Sequence, residues 1–307
     1  MNKPWVAEHT IEAKLARVLI EAQFPQLGPA RLELLGEGWD NTAFLVNGNF
    51  VFRFPRRQIA VRQLENEVQF LPQIASRLPL PIPKHEFHGQ PSPEFPWPFA
   101  GYPLLLGLTA SAANLDEAKR LEAAKPLAGF LLALHSLPAD QMAHLGASED
   151  AFGRLELTRR AFRMRERLDN AIENELITNP KPLIHLLDTA EDPLLPEPTS
   201  LVHGDFYATH LLVDTQCRLS GVIDWGDIHL GHPAVDLAIM FGFLPPQGRD
   251  LFESVYGETD AETKRVARLK ALESALTILT YGHDVGKRDL VREGQTALSF
   301  LIRDIRD

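Results

Sequence analysis

The chain has 307 residues, 45% hydrophobic and 23% charged, which is ample apolar material for a core and excludes disorder as its main state. Its 31 basic residues stand against 41 acidic ones, a formal net charge of −10, which argues against duplex nucleic acid as a partner because such a partner demands a basic stripe. Cys217 is the single cysteine, so neither an intramolecular disulfide nor a cysteine-built zinc site can form, and a reducing cytoplasm fits.

In chain order, residues 1–24 carry acids at Glu8, Glu12 and Glu21 and read as an amphipathic helix, unlike a targeting segment. No apolar run approaches the ~18 residues of a membrane span. The expectation is a soluble intracellular protein with no membrane partner. Residues 31–54 hold short β-prone runs broken by Gly36-Glu37-Gly38 and Asn47-Gly48-Asn49, predicting antiparallel strands near 31–38, 42–47 and 50–54. A helix follows over 59–77, its buried face marked by Leu64, Val68, Leu71 and Ala75. Seven prolines in 79–98 forbid a helix there and leave room for one edge strand. Residues 99–107 predict a last strand and a connector.

From about 114 the pattern is helical. One helix is predicted to end before Pro138, and a helix-rich stretch covers 149–190. The arginine run 154–167 is read as a solvated face paired with Glu156 and Glu166. Residues 191–198 predict a loop, 201–227 a second hairpin, and the chain closes with helices near 234–243, 260–281 and 287–303. Strands are not interleaved with crossover helices, so the expected class is α+β: a small antiparallel β lobe, residues 1–103, and a larger mainly helical lobe, residues 104–307, two lobes around a cleft.

The chemistry gathers around the second hairpin. His203-Gly204-Asp205 is followed by His210 and by Asp224 in Ile223-Asp224-Trp225. Two acids and a histidine at strand ends suit phosphoryl transfer, in which one carboxylate orients a hydroxyl and another holds Mg²⁺ against nucleotide phosphates. His-Gly-Asp alone is weak; the string H-G-D-x-x-x-x-H-L-L-V-D…G-V-I-D-W is much stronger.

That string resembles the catalytic and metal loops of the aminoglycoside phosphotransferase family, whose fold is like that of the eukaryotic protein kinases. Collinear likenesses lie in GWDNTAFLV (38–46), VFRFPRR (51–57), RLPLPIP (77–83), LHSLP (134–138) and GHPAVDLA (231–238). The resemblance implies that Asp205 faces the acceptor hydroxyl, that Asp224 is the principal Mg²⁺ ligand, and that His203 and Asp236 are scaffolding. Position 210 is Asn in the commoner pattern; His210 ligates the second metal position, hydrogen-bonds a metal-bound water or simply packs in the hairpin, and its string is closest to the macrolide phosphotransferase branch. Arg53 stands where the family has a phosphate-pairing lysine. Its helix partner is Glu67 rather than Glu65, because Glu67 lies beside the Leu64/Val68/Leu71 stripe.

Backbone N–H groups of Gly36 and Gly38 are expected over the phosphates, with Asn41 and Thr42 as further donors. Tyr102, Leu104 and Leu105 are expected to hold the base through the backbone. Asp227, His229, Tyr281 and Asp284 are the candidate acceptor contacts. The implied activity is transfer of the γ-phosphate of ATP or GTP, with Mg²⁺, to a hydroxyl of a macrolide or aminoglycoside antibiotic, by a cytoplasmic monomer or weak dimer. A kinase of a small metabolite alcohol and a nucleotide-binding pseudokinase are the alternatives.

Overall fold

A computed structural model describes residues 6–195 and 200–306. Contacts divide the chain into two units. The first takes residues up to Ser76, Pro81–Leu105 and Trp225–Asp227; the second takes Arg77–Leu80, Leu106–Asp224 and everything from Ile228.

In the first unit, alternation of side chains along the middle strands builds a sheet with two different faces. Its strands are β1 (Leu32–Glu37), β2 (Asn41–Val46), β3 (Phe50–Pro55), β4 (Phe87–Gly89) and β5 (Phe99–Pro103), in the order β1-β2-β3-β5-β4, all antiparallel. The expected edge strand of the proline-rich segment is thus β4. Phe44 lies opposite Phe52, and both join Val46, Phe54 and Phe99 in one apolar core, against which α1 (Ala13–Gln23) places Leu19 and Ile20. Arg53 and Ala43 face the other side, where α2 (Gln58–Ile74) supplies Glu67.

Three differences from the sequence reading have local causes. Residues 6–12 are not helical, because the Glu8 and His9 N–H groups donate to Arg56 O at 2.8 and 3.0 Å instead of to carbonyls one turn back; residues 1–5 lie outside the described part. Thr42 packs on the core face, 1% exposed, and cannot serve as a donor on the Arg53 face. The helix of 59–77 ends at Ile74, two residues beyond Pro72, and finishes as a 3₁₀ turn.

The second unit begins with β6 (Leu108–Thr109), α3 (Ala110–Ala113), α4 (Glu117–Glu122), α5 (Ala124–His135) and α6 (Ala139–His144). The single helix predicted before Pro138 is broken between α4 and α5. Pro126, near the start of α5, has no N–H to give the Glu122 carbonyl, and a first turn tolerates it where an interior does not. Next come α7 (Leu157–Glu173), α8 (Lys181–Asp188), β7 (Ser200–Val202), β8 (Leu211–Val213), β9 (Leu219–Val222) and β10 (His229–Gly231). Residues 191–195 are irregular, and 196–198 of the expected loop lie outside the described part.

The chain ends with α9 (Ala234–Leu237), α10 (Ile239–Gly242), α11 (Gln247–Tyr256), α12 (Ala261–Asp284) and α13 (Arg288–Arg306). The helix expected over 234–243 is two short ones, and α11 was not anticipated. α12 is buried on several sides, with Val266, Leu269, Leu272, Leu276 and Leu279 all inside, so it carries no single apolar stripe and acts as the unit's central strut. β8 pairs with β9 and β6, and β7 with β10. Among the described residues no helix is long and apolar enough to cross a membrane.

Candidate active site

In the second unit, the loop between β7 and β8 carries His203 to His210. Its backbone is held by one carboxylate. Asp236, 0% exposed at the start of α9, accepts the His203 N–H on Oδ2 at 2.7 Å and the Gly204 N–H on Oδ1 at 2.9 Å. Gly204 has φ +84°, a conformation that favours glycine. Burial by itself would raise the Asp236 pKa. The hydrogen bond from His135, helped by the Gly204 N–H, outweighs it and holds the group below the ordinary carboxylate value.

The ring hydrogens of this scaffold follow from their partners. Asp236 only accepts, so His135 Nε2, at 3.1 Å, donates to it, and Nδ1 accepts from the Tyr256 hydroxyl at 2.8 Å. Burial, with Asp236 adding to it, pushes the Tyr256 pKa up, which keeps that hydroxyl protonated. His203 accepts the Asp205 N–H on Nδ1 at 3.3 Å and donates from Nε2 to Ile223 O at 3.1 Å. Burial drives its pKa down to about 4, with Asp236 opposing, so the ring is neutral and its two hydrogen bonds fix one tautomer.

On this scaffold sit Asp205, His210 and Asp224. Asp205 accepts the Tyr207 hydroxyl on Oδ2 at 3.0 Å, and the Tyr207 ring lies 4.6 Å from that of His210. His210 Nδ1 donates to Asp205 O at 2.8 Å, while its Nε2 stands 3.3 Å from Asp224 Oδ2. Asp224 itself is in the left-handed region, φ +63°, which Asp tolerates better than most residues. With Nδ1 given to the Asp205 carbonyl, Nε2 and the Asp224 carboxylate face each other, a nitrogen and an oxygen that can both ligate a cation.

The spacing suits a cation. Two adjacent ligands of an octahedral Mg²⁺ lie about 3 Å apart. Among the described residues no group of three or more His, Cys, Asp and Glu side chains is placed to hold a metal ion. Such an ion would therefore draw the rest of its shell from water and from ligand phosphates, as Mg²⁺ ordinarily does. A narrow apolar cavity of about 20 Å³ beside Phe206, Tyr207 and Ala208 has room for little more than one water and none for an acceptor.

In the first unit, Arg53 Nη1 bonds both oxygens of Glu67, at 2.8 and 2.7 Å, and the residues are 7% and 0% exposed. The helical phase that selects Glu67 over Glu65 is the phase the structure displays. His85, which no motif indicated, lies against this pair with Nε2 3.8 Å from Glu67 Oε2; burial, then the Arg53 charge, hold its pKa down to about 3. Gly226 allows Trp225–Asp227 to approach α2 closely, since a Cβ there would stand 3.0 Å from Gln63 Cβ and 3.4 Å from Glu67 Oε1.

Several expected contacts are engaged elsewhere. The Gly38 N–H donates to Asn41 O and its carbonyl accepts from Arg56, so Gly38 closes its own turn and offers no N–H to a phosphate. Gly36 follows a bulge at Leu35 and stays partly exposed. The Leu104 N–H donates to Asn49 O at 2.7 Å, extending the β3–β5 ladder, so it offers no N–H to a base; Tyr102 is buried opposite Val51. Asp227 accepts from Gln63 at 2.8 Å within the first unit. His229 is 3% exposed in β10, opposite Val202, and so is a core residue rather than an acceptor contact. Tyr281 is half-buried and Asp284 exposed, three residues apart on one face of α12.

A small antiparallel sheet unit, a larger helical unit and a carboxylate loop pinned from within define a kinase-like phosphotransferase fold. The sequence profile of the phosphotransferase enzyme family (APH) matches residues 31–269, and the chain belongs to that family. It is 25% identical over 229 residues to the uncharacterized protein YcbJ of Bacillus subtilis (strain 168), an alignment that takes in 72% of this chain and 66% of that protein's length. The structure is similar to the GDP complex of wild-type aminoglycoside 2′-phosphotransferase-IIIa, with TM-score 0.67 and 26% identity over 96% of this chain and 99% of that one. It also shares its fold with the macrolide 2′-phosphotransferase MphH of Brachybacterium faecium, with TM-score 0.56, 22% identity and coverages of 88% and 92%.

Proposed function

We propose that this chain transfers the γ-phosphoryl group of ATP or GTP to a hydroxyl of an antibiotic of the aminoglycoside or macrolide type. The observation that carries the reading is the loop 203–210, where a carboxylate on a fully pinned backbone stands beside the His210–Asp224 pair. The acceptor oxygen attacks the γ-phosphorus as the bond to the β,γ-bridging oxygen breaks, and the nucleoside diphosphate leaves. Asp205 orients the hydroxyl and receives its proton. Asp224 and His210 would hold Mg²⁺, which when bound neutralises charge on the nucleotide phosphates. Arg53, kept charged and aimed by Glu67, contacts the phosphates; Gly36, Leu105 and the carbonyl of Leu104 border the nucleotide; Tyr281 and Asp284 meet the acceptor. Residues 1–103 serve the nucleotide and 104–307 the chemistry, in the cytoplasm, as a monomer or weak dimer.

A panel of macrolides, aminoglycosides and small alcohols, tested with both nucleotides and Mg²⁺, decides the matter. Acceptor-dependent release of nucleoside diphosphate is expected. It should fall about 10³-fold in Asp205→Asn, the scale of a lost general base, with nucleotide affinity kept. His210→Ala should require more Mg²⁺, and His210→Asn should keep much of the turnover. Nucleotide binding without transfer to any of the panel would point instead to a binding protein that performs no chemistry.

A further inference from the structure

The arginine run reads in sequence as one solvated face, yet its first member points inward. Arg154 is 6% exposed. Its Nε donates to Gly204 O at 3.0 Å, and its Nη1 donates to Asp150 Oδ1 at 2.6 Å. Asp150 also accepts the backbone N–H groups of Phe152 and Arg154, so the guanidinium and its anchor belong to one tight turn. That turn is joined to the strands beneath the loop: Leu230 N donates to Ser148 O at 2.8 Å, Glu149 bridges to Leu230, and β10 pairs with β7.

The peptide that Arg154 reaches gives the contact its meaning. Gly204 O belongs to the peptide unit that ends in the Asp205 N–H. That N–H donates to His203, and the preceding N–H is taken by Asp236. With Arg154 on the carbonyl, the Gly204 N–H, the Gly204 carbonyl and the Asp205 N–H are all engaged. Glycine is the residue that turns most freely, so restraint here sets where the next side chain points. A charged donor holds a carbonyl more strongly than a neutral one and polarises the peptide, which makes the Asp205 N–H a better donor to His203.

We propose that Arg154 is a positioning residue for the phosphoryl transfer: it fixes the Gly204–Asp205 peptide and thereby the direction of the Asp205 carboxylate. This rests on Asp205 being the acceptor-facing group. Arg154 touches no reacting atom. The fork of its guanidinium reaches Gly204 and Asp150 together, which a lysine ammonium on a flexible stem does less well.

The test compares the full-length chain with Arg154→Met, Arg154→Lys, Asp150→Asn and the surface control Arg159→Met. Amide hydrogen exchange at Gly204 and Asp205, measured without ligands, is expected to quicken about tenfold in Arg154→Met, to fall between in Arg154→Lys, and to stay unchanged in Arg159→Met. With the acceptor returned by the panel above, kcat should fall about 10²-fold in Arg154→Met while KM for the nucleotide stays within about twofold, the pattern of a misaimed catalytic group. Arg154→Lys should recover part of kcat. Wild-type exchange and kcat in Arg154→Met overturn the proposal, as does a loss shared equally by Arg159→Met. Should Arg154→Met not fold, Asp150→Asn decides: unchanged exchange at the two amides refutes the lock. A wild-type chain that transfers to no acceptor removes the transferase reading, and the exchange measurements still judge the lock by itself.

Discussion

Arg53 in the first unit and Asp205 in the second are held by opposite means. Arg53 is fixed by its side chain, with both Glu67 oxygens on one nitrogen in a buried setting. Asp205 is fixed by its backbone, while its carboxylate keeps 34% side-chain exposure and that of Asp224 keeps 47%. A cation can be buried when its counter-ion is buried with it. Those two carboxylates stay wet, and the order there lies in the peptide units, through Asp236 and His203.

This contrast is open to attack, beginning with the largest effect. Arg53→Met leaves Glu67 charged and buried, and is expected to cost about 3 kcal/mol in a denaturant melt. Combining Arg53→Glu with Glu67→Arg should regain at least part of what the single changes lose. No recovery would count against a direct pair.

A smaller effect tests the surroundings of that pair. His85 has a folded pKa of about 3 against an ordinary 6.5, so the unfolded chain binds the extra proton between those values. Its contribution is fully present above pH 6.5 and is lost as pH falls toward 3, about 2 kcal/mol of it by pH 5. His203 acts with the same sign between 6.5 and about 4. Stability measured from pH 7 to 5 should therefore fall, and His85→Leu should flatten the slope by its share; an unchanged slope would mean that His85 is not held neutral. The smallest effect belongs to Arg159, whose pair with Glu156 is exposed at 63% and 52%. Arg159→Met should shift the melt by less than about 0.5 kcal/mol.

Much of this was legible beforehand. The strands 32–55, an edge strand somewhere in the proline-rich segment 79–98, helix α2 and the hairpin after His210 follow from alternation, proline placement and helical phase, which are local signals. So does the choice of Glu67, because the stripe on α2 is visible in sequence. The break before Pro126 was legible in principle and was missed, since a proline near a helix start and one inside a helix look alike until the start is known. The arginines could not be sorted by inspection. Arg154 bonds a carbonyl 50 residues away, Arg160 pairs with Glu273, Arg165 with Asp188, and Arg159 alone keeps the expected local partner Glu156.

By itself, the sequence determined the class of the chain and the small sheet followed by helices, because period, turn chemistry and a long collinear motif are carried by neighbours in the chain. Tertiary structure alone decided which polar groups are engaged. It turned Thr42 and His229 into the core, gave Asp227 to Gln63, closed the Gly38 turn on Asn41, and brought Arg154 to Gly204. Such choices depend on which buried donors find acceptors across large separations, and an unmatched buried group costs enough to decide the outcome.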